Sequence, residues 1–232
     1  MDIVGSVQPK MLHLPLKALY QTRRFKMETT QYYFRDSKGL ITDEFLIPIL
    51  DKQLRILRPK RILDVGCGNG SIARFFIEKG YDVYGIDASV KGIEFARIYH
   101  AERFHVQDLN DDGLPLAIKD KSFDLIISTE VIEHVYSPLK FIKYCHNNLV
   151  SSGHIILSTP YHGYLKNLAL ALSGKMDHHF TALWEGGHIK FWSKSTLTQL
   201  LESHGFRVRD FNGAGRFPYL WKSMVLTAQK QS

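Results

Sequence analysis

RILDVGCGNGSIARFFIEKGYDVYGID, residues 61–87, carries a strand, a glycine turn, a helix and a second strand in one run. Ile62 to Val65 reads as a buried strand. It enters a turn in which Gly66, Gly68 and Gly70 alternate with Cys67 and Asn69, and Ile72, Phe75 and Phe76 then follow at helical spacing. Glycine is required there because the turn needs unusual backbone angles and lets the main chain approach a ligand, while the helix start offers free N–H groups. The second strand, Asp82 to Ile86, ends on Asp87. A carboxylate at that tip can accept hydrogen bonds from two ribose hydroxyls, so the run points to a nucleoside-containing ligand.

The spacing separates two candidate ligands. Dinucleotide sites use Gly-x-Gly-x-x-Gly, whereas this turn is Gly-x-Gly-x-Gly with Asp64 two residues ahead of the first glycine. In this the segment closely resembles motif I of the class I S-adenosylmethionine (SAM) dependent methyltransferases. The resemblance implies a SAM site in which Asp64 organises the loop and faces the methionine end, Gly66, Cys67, Gly68 and Gly70 lie under the cofactor, and Asp87 and Ala88 border the ribose.

The remaining chain predicts the scaffold. Ile41, Phe45, Ile49, Leu50, Leu54 and Leu57 keep helical spacing despite Pro48 and stop at Arg58-Pro59. A helix with Val90, Ile93, Phe95 and Ala96 inward leads to a third strand, Phe104 to Gln107, ending on Asp108. Phe123 to Ser128 reads as a central parallel strand, Lys140 to Leu149 as a helix, Ser152-Gly153 as a turn and Ile155 to Leu157 as a fifth strand. Phe206 to Phe211 and Trp221 to Ala228 follow with no long helix between them. The expectation is an α/β, Rossmann-like, doubly wound and mostly parallel seven-stranded sheet with a terminal antiparallel strand pair. Such an ending resembles the methyltransferase sheet and not the dinucleotide one. By the same resemblance Asp108 and the backbone of Leu109 meet the adenine, since a carboxylate accepts from an exocyclic amine and a ring nitrogen needs an N–H donor. Residues 1–39 are expected to form an N-terminal arm or lid, with one short helix before Arg24, and residues 40–232 the methyltransferase domain.

Composition narrows the setting. The 232 residues suffice for one α/β domain and a short appendage. Two dispersed cysteines build neither a disulfide framework nor a zinc knuckle and fit a reducing, cytoplasmic compartment. No signal peptide or membrane span is expected. Of the net charge of +7, five charges lie in the first sixty residues, which hold eleven Lys or Arg against six Asp or Glu. Aromatics interleave them in RRFKMETTQYYFRD. Two readings stand: a solvated basic face, or a segment that contacts RNA or substrate.

The acceptor should lie beyond the carboxyl ends of strands four and five. Thr129-Glu130-Val131-Ile132-Glu133-His134 falls there. Were a helix to begin near Glu130, positions i, i+3 and i+4 would set Glu130, Glu133 and His134 on one face as metal ligands. The pattern resembles two methyltransferase groups, the ubiquinone-biosynthesis O-methyltransferases and small-RNA 2′-O-methyltransferases, which pair Glu-x-x-Glu-His with a later His; here that position is His188. The resemblance implies a divalent metal, Mg2+ or Zn2+, held by Glu130, Glu133, His134 and His188. Two alternatives remain open: His134 or His188 as general base without metal, or Glu130 serving the helix start or the cofactor, with Thr129 beside it.

Residues 161–187 form an insertion in which Leu165, Leu168, Ala169 and Leu172 share a helix face, followed by Phe180, Leu183 and Trp184. In the ubiquinone-type enzymes an apolar insertion here touches membrane and the substrate's lipid tail; packing onto the domain or onto a second copy is the other reading. His162, His178 and His179 stand as rivals of His188. The resulting expectation is a SAM-dependent O-methyltransferase acting on a phenolic or catechol-like acceptor, including a polyprenylated quinone precursor, with peripheral membrane contact through residues 161–187. RNA 2′-O-methylation, with nucleic acid as the less favoured partner, methylation of a sugar or small metabolite, and a non-catalytic SAM-fold binding protein are the rival functions.

Overall fold

The computed structural model describes residues 42–231 except 110, 112, 181, 182 and 185. The N-terminal arm, its basic aromatic stretch and Ile41 lie outside the described residues, as does the side chain of His178.

Seven strands form one sheet: β1 (Ile62–Val65), β2 (Val83–Asp87), β3 (Phe104–Val106), β4 (Phe123–Thr129), β5 (Leu149–Pro160), β6 (Phe206–Ala214) and β7 (Ser223–Lys230). Their order is β3-β2-β1-β4-β5-β7-β6. β3, β2, β1, β4 and β5 run parallel, and β7 lies antiparallel to both β5 and β6. The doubly wound sheet with its antiparallel ending is therefore present. The helices are α1 (Asp43–Leu57), α2 (Ser71–Glu78), α3 (Val90–His100), α4 (Pro138–Asn147), α5 (Tyr164–Leu172), α6 (Met176–Phe180) and α7 (Lys194–Glu202).

The central strands are rich in consecutive apolar residues because both faces are covered. Leu63, Ile126, Ile155 and Leu226 pack on one side with Phe141 and Leu201, whereas Ile62, Leu125, Ile156 and Val225 pack on the other with Leu50, Phe76 and Ile93. Helix ends follow local chemistry. Ser89 caps α3 by accepting from the Gly92 amide at 3.1 Å, and Ser193 and Thr196 form a reciprocal capping box at α7. α1 ends where Arg58 turns left-handed before Pro59. Its start is tied to the start of α2, since Ser71 Oγ donates to Asp43 Oδ2 at 2.8 Å.

Two local expectations are corrected. β5 spans Leu149–Pro160, longer than Ile155 to Leu157, because the Ser152-Gly153 turn is absorbed into the strand with Ser152 at φ 60°. No helix begins at Glu130: residues 130–134 form a turn, with Glu130 at φ 54°.

Candidate functional site

The glycine turn leaves β1 and is fastened to the tip of β2. The Gly66 and Cys67 amides donate to the Ile86 carbonyl at 2.8 and 3.0 Å, and the Gly68 amide donates to Asp87 Oδ2 at 2.8 Å. The Ser89 amide supplies the other Asp87 oxygen at 2.7 Å, past half-buried Ala88. Gly66, Gly68 and Gly70 all have positive φ, at 80°, 56° and 76°. Space is short as well as angle: a Cβ at Gly70 would stand 2.8 Å from that of Ala96. Cys67 has its thiol in the core, where burial pushes it well above its usual range. Its side chain is a packing group, and only its main chain borders the turn.

Asp64 lies under this turn, 2% exposed. Burial, and then the neighbouring carboxylates of Asp87 and Asp43, push it up to about 8, and its Oδ1 accepts no hydrogen bond. Buried carboxylates gathered in this way favour a cationic ligand group close by, as an ammonium or sulfonium would supply. The donor set thus fits SAM. On the far side of β2, the Gln107 amide donates to the Asp87 carbonyl at 2.9 Å, which brings Asp108 and Leu109 to the same strand tips.

Thr129 closes β4 opposite Ser158 of β5. The structure then separates the two glutamates that the sequence grouped. Glu130 turns toward the sheet: its oxygens accept from Ser158 Oγ at 2.7 Å and Ser223 Oγ at 3.0 Å, binding the ends of β4, β5 and β7 together. Glu133 is fully buried, with Oε2 accepting from Thr159 Oγ1 at 3.0 Å and Oε1 accepting no hydrogen bond. Burial, reinforced by the charge of Glu130, pushes its carboxyl well up.

His134 and His188 join Glu133. One ligand atom from each of the three lies within 4.8 Å of the others, and Glu133 Oε1 is 3.9 Å from His134 Nε2. His134 Nδ1 meets the carbonyls of Gly186 and Gly187 at 2.8 and 3.2 Å, which makes Nδ1 the protonated nitrogen and leaves the lone pair on Nε2. The amides of Ile189 and Lys190 donate to the Glu133 carbonyl at 2.9 and 3.0 Å, so the His188 segment is strapped to the turn. Burial lowers both imidazoles, and the neighbouring His134 adds to the effect on His188, which falls to about 4. Two neutral imidazoles and one buried carboxylate suit a divalent cation, and a Glu-His-His set is that of open zinc sites. Glu130 is not in this group, because Ser158 and Ser223 hold both of its oxygens.

Serine and threonine positions at the end of β5, Ser158 and Thr159, and Ser223 at the start of β7, escaped the sequence reading. Their only signal was polarity inside an otherwise apolar strand. Lys166 escaped it too. It is the one buried residue of α5, donating to the Lys222 carbonyl at 3.3 Å, while Leu165, Leu168 and Leu172 stand exposed. The expected apolar face of this helix forms but does not pack inward. Of the rival histidines, His162 and His179 have ring centroids 5.1 Å apart beside Phe180 and Phe191.

This strand order, with a glycine turn after β1, an acidic residue at the tip of β2 and a terminal antiparallel pair, is the class I methyltransferase architecture. A family model described as Methyltransferase domain matches residues 40–210, and the chain belongs to that family as a SAM-dependent methyltransferase. The ubiquinone biosynthesis O-methyltransferase of Dinoroseobacter shibae is 31% identical over 216 residues, covering 91% of this chain and 79% of that protein. Its namesake from Roseobacter denitrificans is 33% identical over 165 residues, covering 69% and 65%. Among solved structures, a magnesium protoporphyrin IX methyltransferase from Synechocystis with bound S-adenosylhomocysteine (SAH) shares the fold at a TM-score of 0.63 and 19% identity, over 82% of this chain and 84% of that one. Among the described residues no helix is long and apolar enough to cross a membrane.

Proposed function

We propose that this chain is an O-methyltransferase that moves the SAM methyl group to a hydroxyl of a phenolic or catechol-like acceptor, a reading supported by its similarity to proteins named ubiquinone biosynthesis O-methyltransferase. The observation that carries this reading is the Glu133, His134 and His188 group beyond the carboxyl end of β4, on a turn whose Val131 packs against Gly66 of the glycine turn. In this reading Asp64 and the turn hold the methionine portion, Asp87 the ribose, and Asp108 with the Leu109 amide the adenine.

The acceptor oxygen attacks the methyl carbon in line, the carbon–sulfur bond breaks, and its electron pair stays on sulfur in SAH. The hydroxyl proton must leave as charge shifts. His188, neutral and beside Glu133, is able to take it. A divalent metal held by Glu133, His134 and His188 would instead lower the pKa of the acceptor hydroxyl. The exposed leucines of α5 support a finer element of the proposal, contact of residues 161–187 with a lipid surface or lipid-like acceptor.

The test is transfer of label from SAM to a panel of catechols, prenylated phenols and short RNAs, with and without chelator. Label in a phenol supports the proposal; label in RNA alone overturns it. Loss of activity in chelator assigns the metal role, and an unchanged rate removes it and leaves proton transfer to an imidazole.

A further inference from the structure

The chain that leads into His188 sets an indole against both histidines of the Glu133, His134 and His188 group. The rings of Trp184, His134 and His188 form a closed triangle, with centroids 5.8 Å apart for Trp184 and His134, 6.0 Å for Trp184 and His188, and 5.0 Å for the two imidazoles, every pair edge-on. The backbone fixes this corner. The Gly187 amide donates to the Trp184 carbonyl at 3.0 Å, closing a turn in which Gly186 has a φ of 78°. The carbonyls of Gly186 and Gly187 are the ones that His134 Nδ1 meets, so a single turn positions both the indole and the imidazole.

Trp184 differs from its neighbour. Leu183 is fully exposed, whereas Trp184 lies against the two histidines and keeps 42% of its surface open. A large ring anchored on one side and open on the other is a preformed contact surface, and Trp loses little rotamer freedom when a ligand packs on it. We propose that Trp184 is a specificity-determining residue of the acceptor site, whose indole packs against the acceptor's ring and makes the site prefer an aromatic vicinal diol to a saturated one. This rests on the reading of Glu133, His134 and His188 as the group that receives the acceptor hydroxyl.

Reach and ring chemistry carry the argument. An acceptor whose hydroxyl meets the His188 imidazole brings its own ring beside the triangle, where ring pairs interact at centroid distances of about 4.5–7 Å. A planar aromatic ring gains an offset or edge-to-face contact with the indole, a gain of about three- to tenfold in affinity beyond simple burial. A saturated ring of equal size buries similar apolar area, but it has no quadrupole to match the indole and its axial hydrogens hold it away from a π face. The hydroxyl-binding group treats the two diols alike, so the discrimination falls on Trp184. The cis-diol of a sugar belongs with the saturated ring, which makes this residue the point at which phenolic and ribose-like acceptors part.

Catechol and cis-1,2-cyclohexanediol share vicinal hydroxyls and ring size, and calorimetry of each on the SAH-bound protein reads the preference without turnover. The wild-type protein should bind catechol about tenfold more tightly than the saturated diol. Trp184→Leu, which keeps apolar bulk but no π face, should weaken catechol about fivefold and leave the saturated diol within about twofold, and Trp184→Phe should restore most of the catechol affinity. In methyl transfer to catechol, Trp184→Leu should raise KM with little change in kcat. Equal weakening of both diols, or a fall in kcat at constant KM, would make the indole a mere support for His134 and overturn the assignment. Unchanged catechol affinity in Trp184→Leu, in a wild-type background that methylates catechol, overturns the role of Trp184 and leaves the proposed function standing. A wild-type protein that binds SAH but neither binds nor methylates any phenol overturns the proposed function, and this assignment with it.

Discussion

Gly66 and Val131 touch so closely that a Cβ on the glycine would stand 2.4 Å from Cγ2 of the valine. The turn that carries the cofactor motif and the turn that carries Glu130, Glu133 and His134 are thus packed directly on each other, although 65 residues of chain separate these two positions.

Gly66→Ala should therefore fail twice, on space and on its φ of 80°. A left-handed alanine costs about 1–2 kcal/mol and the overpacking about 1–3 kcal/mol. Val131→Ala added to it should recover the steric part and leave the backbone part. Urea unfolding of the single and double variants measures both, and a double variant no more stable than the single one would contradict the contact.

Asp64 predicts a trade between stability and binding. Its carboxyl is pushed up to about 8 in the folded protein, against the ordinary carboxylate value of 3.8, so between those limits the native state holds a proton that the unfolded state has released. Stability without cofactor should fall as pH rises across that window. Asp64→Asn removes the slope and should gain about 1–2 kcal/mol at pH 8. The same variant should bind SAM more weakly, having lost the countercharge. Melting curves from pH 5 to 8 that keep the same slope in both proteins would refute this.

Glu130 acts as a clamp in the structure, and its substitutions should register in stability before chemistry. Glu130→Ala leaves Ser158 and Ser223 without their acceptor and should cost about 2–4 kcal/mol, while Glu130→Gln, which keeps one acceptor oxygen, should cost less than half of that. Neither should change a zinc-induced shift in melting temperature. Denaturant titrations with and without zinc provide the readout.

Glu133→Gln and His188→Ala bear on the proposed metal. Zinc at micromolar concentration should raise the melting temperature of the wild-type protein through preferential binding to the folded state, and chelator should reverse the shift. Both variants should lose most of it. A shift that survives in both would place the ion elsewhere.

Much of the fold was legible because its signals are local. The run from Ile62 to Asp87 names two strands and a glycine turn within 26 residues, and covering a parallel strand on both faces leaves consecutive apolar residues such as Leu125, Ile126 and Ile127. α1 was found through its spacing even with Pro48 inside it. The reading failed where neighbours remote in sequence decide. Glu130, Glu133 and His134 fit a helical face by spacing alone, but the hydroxyls of Ser158 and Ser223, 28 and 93 residues away, hold Glu130 in a left-handed turn and aim it into the sheet. The leucines of α5 read as a face for lipid or for packing, but nothing in that spacing showed that Lys166 anchors the helix through a carbonyl of the β6–β7 connection.

By itself, then, the sequence determined the parallel sheet, its antiparallel ending and the glycine turn, since alternation, turn chemistry and helical period act within a few residues. Only the tertiary structure decided which polar side chains meet. It gathered Glu133, His134 and His188 and assigned Glu130 to the sheet, because a buried carboxylate takes whichever donors the fold brings within hydrogen-bonding distance. Spacing along the chain carries no record of those donors.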